Sequence, residues 1–291
     1  MMQVAVVTGT GSGIGRATAL RLLQEGYRVY ATARKLEEVT ALADAGAKTL
    51  TLDVTSEQSM QTAIDVVLRA EGKIDVLVNN AGYSQSGAVE SVSLDKMRRQ
   101  FETNVFGAMR LCQLVLPAMR QNGGGRIINL SSMGGKLVFP GGGVYHASKY
   151  ALEALSDALR FEVRGFGVHV TLIEPGLIKS GFAQAALASM SPSEDGVYSE
   201  FNTAVATATR EVYEKGALAK LGGSPEDVAS AIVKALRSKR PRARYTVTAS
   251  ATVLLTQRAL MPDGLWDAFL RSQFPEPKAS ESTTHERKAV A

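Results

Sequence analysis

Short runs of unbroken apolar residues alternate along this chain with longer segments whose apolar positions recur every three or four residues. The first kind, at residues 3–8, 28–33, 48–52, 74–78, 126–131 and 168–173, reads as strands buried on both faces, with Tyr245-Thr246-Val247 as a last one. The second kind predicts helices. One starts at Arg16, and one is opened by a Thr55-x-x-Gln58 capping box with Met60, Ile64, Val67 and Leu68 on one face. A long one is striped by Phe101, Val105, Met109, Cys112, Leu116 and Met119. Another contains Tyr145 and runs to about Arg164, and Ser224-Pro225-Glu226-Asp227 supplies the cap and first-turn proline of the next. Strand followed by helix, repeated in this way, predicts an α/β fold. From 177 to 223 the pattern weakens into short helical pieces broken by Ser191-Pro192-Ser193 and Glu194-Asp195-Gly196, as in a mobile lid. Apolar helical pieces return over 248–274, and 275–291 is polar and expected to be disordered.

With 45% hydrophobic and 21% charged residues among 291, the chain has the composition of a soluble globular protein. Its one cysteine, Cys112, excludes an intrachain disulfide and falls on a helical apolar stripe, which predicts packing rather than chemistry. No apolar run reaches the ~18 residues that span a bilayer, and no charged-then-apolar leader is visible, so the expected location is the cytoplasm. The net charge of +5 admits an anionic ligand, and no nucleic-acid-binding motif accompanies it.

Two stretches carry candidate chemistry. The first strand runs directly into Gly9-Thr10-Gly11-Ser12-Gly13-Ile14-Gly15 and then a helix. Glycines there permit a sharp turn and let a pyrophosphate approach the amides of a helix amino terminus, whose dipole favours negative charge. The spacing is Gly9-x3-Gly13-x-Gly15; Ile14 stands where the common dinucleotide fingerprint has its last glycine. The second strand ends at Ala33, where such folds place a carboxylate for the ribose 2′-hydroxyl, and Arg34 and Lys35 follow. A cation without an acid suits a 2′-phosphate, so the expected cofactor is NADP(H) rather than NAD; the alternative is that both cations only solvate the next helix.

In the second stretch, Ser132 stands at a strand's carboxyl end, and Tyr145 and Lys149, four apart, leave one face of a helix. A phenol with a pKa near ~10 is a poor acid or base at neutral pH, and an ammonium beside it favours the phenolate. The trio can hold a carbonyl oxygen and protonate it. Asn104, in the middle of a predicted helix, is either an exposed filler or a deliberate disturbance of that helix.

Thr8-Gly9-x3-Gly13-Ile14-Gly15, Asn79-Asn80-Ala81-Gly82, Asn104, Ser132-x12-Tyr145-x3-Lys149 and Pro175-Gly176 occur in the order and spacing of one family. Over about residues 3–247 the chain resembles the short-chain dehydrogenases/reductases, and its details look most like their hydroxysteroid and retinol dehydrogenase branch. The resemblance implies a single doubly wound, Rossmann-type domain over 1–274, with a parallel seven-stranded sheet, a lid over 177–223 and a small helical C-terminal extension over 248–274. It implies hydride transfer from a nicotinamide without a metal, with Tyr145 as acid/base and Lys149 lowering its pKa and binding the nicotinamide ribose. Ser132 then orients the substrate oxygen, and Asn104 holds a proton-relaying water. The cofactor site so implied comprises Gly9, Gly11, Ser12, Gly13, Ile14, Gly15, Arg34, Asp53, Val54, Asn80, Ala81, Gly82, Tyr145, Lys149, Pro175, Gly176 and Ile178. A homodimer or homotetramer is also implied. Two departures stand out: Ser180 replaces a threonine beyond Pro175-Gly176, and Ser12 replaces the basic residue that many NADP-using members carry.

The leading expectation is therefore an NADP(H)-dependent oxidoreductase acting on a carbonyl or secondary alcohol. A dinucleotide-binding sensor or scaffold without chemistry is the alternative, which the presence of both Tyr145 and Lys149 disfavours. A sugar-nucleotide epimerase or dehydratase has a different glycine spacing and a larger C-terminal domain. Leu177, Phe182, Leu187, Met190 and Phe201 predict an apolar pocket for a large hydrophobic substrate. The C-terminal residues Leu254, Leu265, Trp266 and Phe269 either line that pocket or pack on the sheet or a partner subunit. Beside the basic run Arg237, Lys239, Arg240, Arg242 and Arg244 they offer at most a peripheral membrane contact.

Overall fold

Val4, Ala5, Val6 and Val7 are all buried, as a β-branched run must be when helices cover both faces of a parallel sheet. In the computed structural model, which describes residues 2–191 and 196–277, this run is strand β1 (Val4–Val7). With it pair β2 (Arg28–Ala33), β3 (Lys48–Thr51), β4 (Val76–Asn79), β5 (Gly125–Leu130), β6 (Val168–Pro175) and β7 (Arg244–Val247). All pairings are parallel, in the order β3-β2-β1-β4-β5-β6-β7. The chain winds outward from β1 in one direction and from β4 in the other, so a crevice opens between the carboxyl ends of these two neighbours.

Helices α1 (Gly13–Gln24), α2 (Thr40–Asp44), α3 (Glu57–Glu71), α4 (Leu94–Phe101), α5 (Gly107–Gln121) and α6 (Gly143–Glu162) follow the first five strands. Then come α7 (Phe182–Ala188), α8 (Ser199–Glu214), α9 (Gly216–Lys220), α10 (Pro225–Arg237), α11 (Ala249–Leu260) and α12 (Asp263–Gln273). One core layer joins the sheet to α1 and α10 through Ala19, Leu22, Val228, Ile232 and Val233. The opposite layer joins it to α3 and α5 through Met60, Ile64, Val67, Leu111, Val115 and Met119. The expected disordered tail lies from residue 278 onward outside the described residues, as do 192–195. No helix among the described residues is long and apolar enough to cross a membrane.

Two local expectations are corrected. The cap of α3 is Ser56, whose Oγ accepts from the Ser59 amide at 3.3 Å; Thr55 instead donates its hydroxyl to Asp53 Oδ1 at 2.8 Å. Ser56→Ala should therefore cost about 1 kcal/mol in urea unfolding, a loss that Thr55→Ala, one residue outside the helix, should not reproduce through the cap. The long helix through Asn104 is also not continuous: a π-helical turn, Glu102–Phe106, separates α4 from α5. One extra residue per turn there points Asn104 inward, where it is 2% exposed, so the disturbance reading holds and the filler reading does not.

Candidate active site

The crevice at the β1/β4 edge is a cavity of about 2370 Å³, walled by the segments that follow the strands' carboxyl ends. On its floor the chain turns at Gly9, with φ of +67°, and a Cβ there would stand 2.8 Å from Ala81 Cα. A Cβ on Gly15 would strike the Gly9 carbonyl oxygen and lie 2.5 Å from Asn80 Nδ2. That amide donates to the carbonyls of Thr8 (2.9 Å) and Gly9 (3.0 Å), pinning the glycine turn to the end of β4. The first turn of α1 carries no acidic side chain, and Ser12 makes no side-chain cap to it. Its amino-terminal amides and dipole thus suit an anion in the groove. Gly11, Ser12, Gly13, Ile14, Arg34, Asp53, Val54, Ala81, Gly82, Pro175, Gly176 and Ile178 line the same cavity. These residues fit a dinucleotide, with the pyrophosphate at α1 and Arg34 beyond Ala33.

Ser132, Tyr145 and Lys149 face this cavity as well. Ser132 Oγ accepts from the Gly134 amide at 3.0 Å, and its hydroxyl is near enough to Tyr145 to act on the phenol. Desolvation pushes the phenol up to about 12, with the Ser132 hydroxyl working in the opposite direction. This differs from the expectation of a phenol lowered by the neighbouring ammonium. Lys149 Nζ is 5.9 Å from the Tyr145 ring centroid and donates to the Leu130 carbonyl at 2.6 Å, so its field on the hydroxyl does not overcome burial. Lys149 is itself 7% exposed; burial pushes it down to about 8, against the raising effect of Glu153. At neutral pH the site presents a protonated phenol beside a lysine that is still mostly charged. An O–H held in this way can be donated to a carbonyl oxygen. When bound, a nicotinamide dinucleotide supplies the hydride.

Asn104 is the one expected site residue that does not line the cavity. Its Oδ1 accepts from the Tyr83 amide (3.1 Å), while Nδ2 donates to the Tyr83 carbonyl (3.0 Å) and Ser148 Oγ (3.1 Å). It ties the loop after β4 to α6 one residue before Lys149.

Several wall residues were not legible beforehand. His146 Nδ1 lies 2.9 Å from the Gly134 carbonyl, and Nε2 accepts from the Phe139 amide at 3.2 Å, so the ring clasps both ends of the loop after Ser132. Burial lowers its pKa, which suits the neutral tautomer with the proton on Nδ1. Tyr213 on α8 also lines the cavity, its phenol raised first by desolvation and then by the negative field of Tyr145. Of the predicted apolar wall, Leu177 and Phe182 are present; Leu187, Met190 and Phe201 are not. Phe139, Val205 and Leu218 take their place, and of the C-terminal candidates Leu254 and Phe269 line the cavity, as one of the two expectations had it. Trp266 is buried against Phe139, with ring centroids 5.8 Å apart, whereas Leu265 is exposed. Two members of the basic run are ion-paired: Arg237, still exposed, with Glu25, and Arg244 with Glu153, Asp157 and Glu174. This leaves less free charge for a membrane surface than the sequence suggested.

The profile of the family described as short chain dehydrogenase matches residues 3–190. The chain is 34% identical over 270 residues to the 3-ketodihydrosphingosine reductase of Bacteroides thetaiotaomicron, spanning 92% of this chain and 97% of that one. It is 35% identical over 273 residues to human 17-beta-hydroxysteroid dehydrogenase type 1, spanning 90% and 82%. A crystal structure of a short-chain dehydrogenase from Streptomyces avermitilis superposes with a TM-score of 0.77 at 33% identity, over 93% of this chain and 96% of that one.

Proposed function

The chain belongs to the short-chain dehydrogenase family, and on that premise we propose that it is an NADP(H)-dependent reductase of large hydrophobic ketones, reversible to alcohol oxidation. The observation that carries this reading is that Ser132, Tyr145 and Lys149 line the same cavity as the glycine turn, with the phenol kept protonated by burial. A sensor without chemistry has no use for a protonated phenol held toward a cleft. The apolar half of the cavity, with Leu177, Phe182, Val205, Leu254 and Phe269, supports the hydrophobic substrate, and α7 and α8 supply part of its wall. The names of the two relatives, a ketosphingosine reductase and a hydroxysteroid dehydrogenase, agree with a lipid-like ketone. Association into a homodimer or homotetramer belongs to the same reading and is supported by Phe161 and Leu260, each more than three-quarters exposed.

The test is a panel of ketones and aldehydes with NADPH and with NADH, followed by nicotinamide absorbance. Turnover of long-chain or steroid-like ketones with NADPH is expected, and no turnover on any carbonyl would return the sensor reading. Phe269→Ala should separate the pocket from the chemistry. Its efficiency on a long-chain ketone should fall about tenfold, the scale of one lost apolar contact in a pocket, with little change on a small diketone. An equal fall on both would give Phe269 a purely structural role.

A further inference from the structure

One turn beyond Lys149 on α6 lies a carboxylate that the chemistry above does not use. Glu153 is 4% exposed and sits among charges contributed by every element packed on it. From β7, Arg244 Nε bonds Glu153 Oε2 at 2.8 Å, and from the loop after β5, Lys136 Nζ stands 3.7 Å from the same oxygen. Glu174, on β6, shares that arginine at 3.3 Å, and Asp157, on α6, at 2.6 Å. Three carboxylates thus divide one guanidinium and one partly exposed ammonium. Burial and the field of Glu153 raise the Glu174 pKa, so Glu174 is the member most readily kept neutral.

Glu153 also lies close to the start of the loop after β5. Ser131 Oγ and Glu153 Cγ lie 2.9 and 3.0 Å from the point that a Cβ on Gly135 would occupy, and the Lys149 carbonyl oxygen is 3.2 Å from it. The side chain is therefore packed against the backbone of Lys149 and the end of β5. Its Oε1, like Ser131 Oγ, has no hydrogen-bond partner, so its charge is not fully neutralised where it stands. Lys149 Nζ, for its part, bonds to a neutral carbonyl. The field of Glu153 favours the ammonium against desolvation.

We propose that Glu153 is a positioning residue that acts through Lys149: its buried carboxylate, one helical turn away, keeps the lysine an ammonium at the pH where the site works. The inference rests on the oxidoreductase reading only for its consequence, since the protonation state of Lys149 can be measured without cofactor or substrate. In protein labelled with 13C-lysine, the Lys149 Cε resonance, assigned by its loss in Lys149→Met, reports the titration directly. Removing the negative charge removes a field that raises the lysine, so in Glu153→Gln the midpoint should fall by about one pH unit. Glu153→Asp, which keeps the charge, should restore most of it. Lys136→Met leaves the core intact and unscreens Glu153, so its midpoint should rise. That variant decides the matter if Glu153→Gln does not fold. An unmoved midpoint in Glu153→Gln, the same fall in Glu153→Asp, or no rise in Lys136→Met would overturn the proposal. Turnover of a small diketone with NADPH by Lys149→Met would instead overturn the catalytic reading of Lys149, leaving the titration result standing.

Discussion

Tyr145→Phe is expected to abolish carbonyl reduction while leaving NADPH affinity within a few-fold of the unaltered protein. The substitution deletes one oxygen and nothing else from the wall of the cleft. The ring keeps its neighbours, Phe182 at 5.5 Å and His146 at 5.7 Å between centroids, and Gly134 N still bonds Ser132 Oγ. What is lost is the phenolic O–H, the hydroxyl of the group that shares a helix face with Lys149. Because burial pushes the phenol up to about 12, it is protonated at neutral pH, as the proposed role of acid in the reductive direction requires. A positioned proton donor contributes ~10²–10⁴-fold, so the fall in kcat should lie in that range. Steady-state reduction of a ketone, beside NADPH binding followed by nicotinamide fluorescence, reads both quantities. A variant that kept more than about half of the rate would remove Tyr145 from the chemistry.

The strands and the glycine turn were legible because their signals are local. Arg28–Ala33 is bounded as its apolar run is, and α1 opens at Gly13, inside the glycine turn and three residues before the expected start at Arg16. The π-helical turn at Asn104 was not, since the apolar stripe from Phe101 to Met119 runs through it with the spacing of an ordinary helix. What sets it is a tertiary demand: the backbone of Tyr83 and the hydroxyl of Ser148 both need the Asn104 amide. The same limit applies to the pocket. Apolar residues in 177–223 can be counted from sequence, but which of them face inward depends on how α7 and α8 lie, and Leu187 and Met190 turn away while Tyr213 does not. Charge was misread for a related reason. A Tyr-x3-Lys pair shows the cation but not the desolvation that outweighs it, and Arg244 counts as a surface base until β7 brings it against two buried carboxylates.

In Arg34→Ala the preference for NADPH over NADH should collapse. Ala33, 4% exposed at the end of β2, leaves no carboxylate for a ribose 2′-hydroxyl, and Arg34 is the first side chain beyond it on the cavity wall. A guanidinium there can meet a 2′-phosphate with two parallel hydrogen bonds, which a ribose hydroxyl cannot match. The nearby charges are not all of one sign. Arg16 is held by the Gly11 carbonyl at 2.6 Å, and Glu38 Oε2 lies 3.0 Å from where a Cβ on Gly11 would stand. Arg34 therefore competes with a carboxylate at the same end of the cleft, and its removal leaves that carboxylate to repel a phosphate. Losing a charge-assisted hydrogen bond costs about 1.5–3 kcal/mol, so kcat/KM with NADPH should fall by roughly 10- to 150-fold. With NADH it should stay level or improve, since no phosphate is lost and none is repelled. Glu38→Gln should move the ratio the other way, toward NADPH, because it deletes the repulsion and keeps Arg34. Equal use of both cofactors by the unaltered protein would refute the role given to Arg34, and so would an equal fall with both in Arg34→Ala.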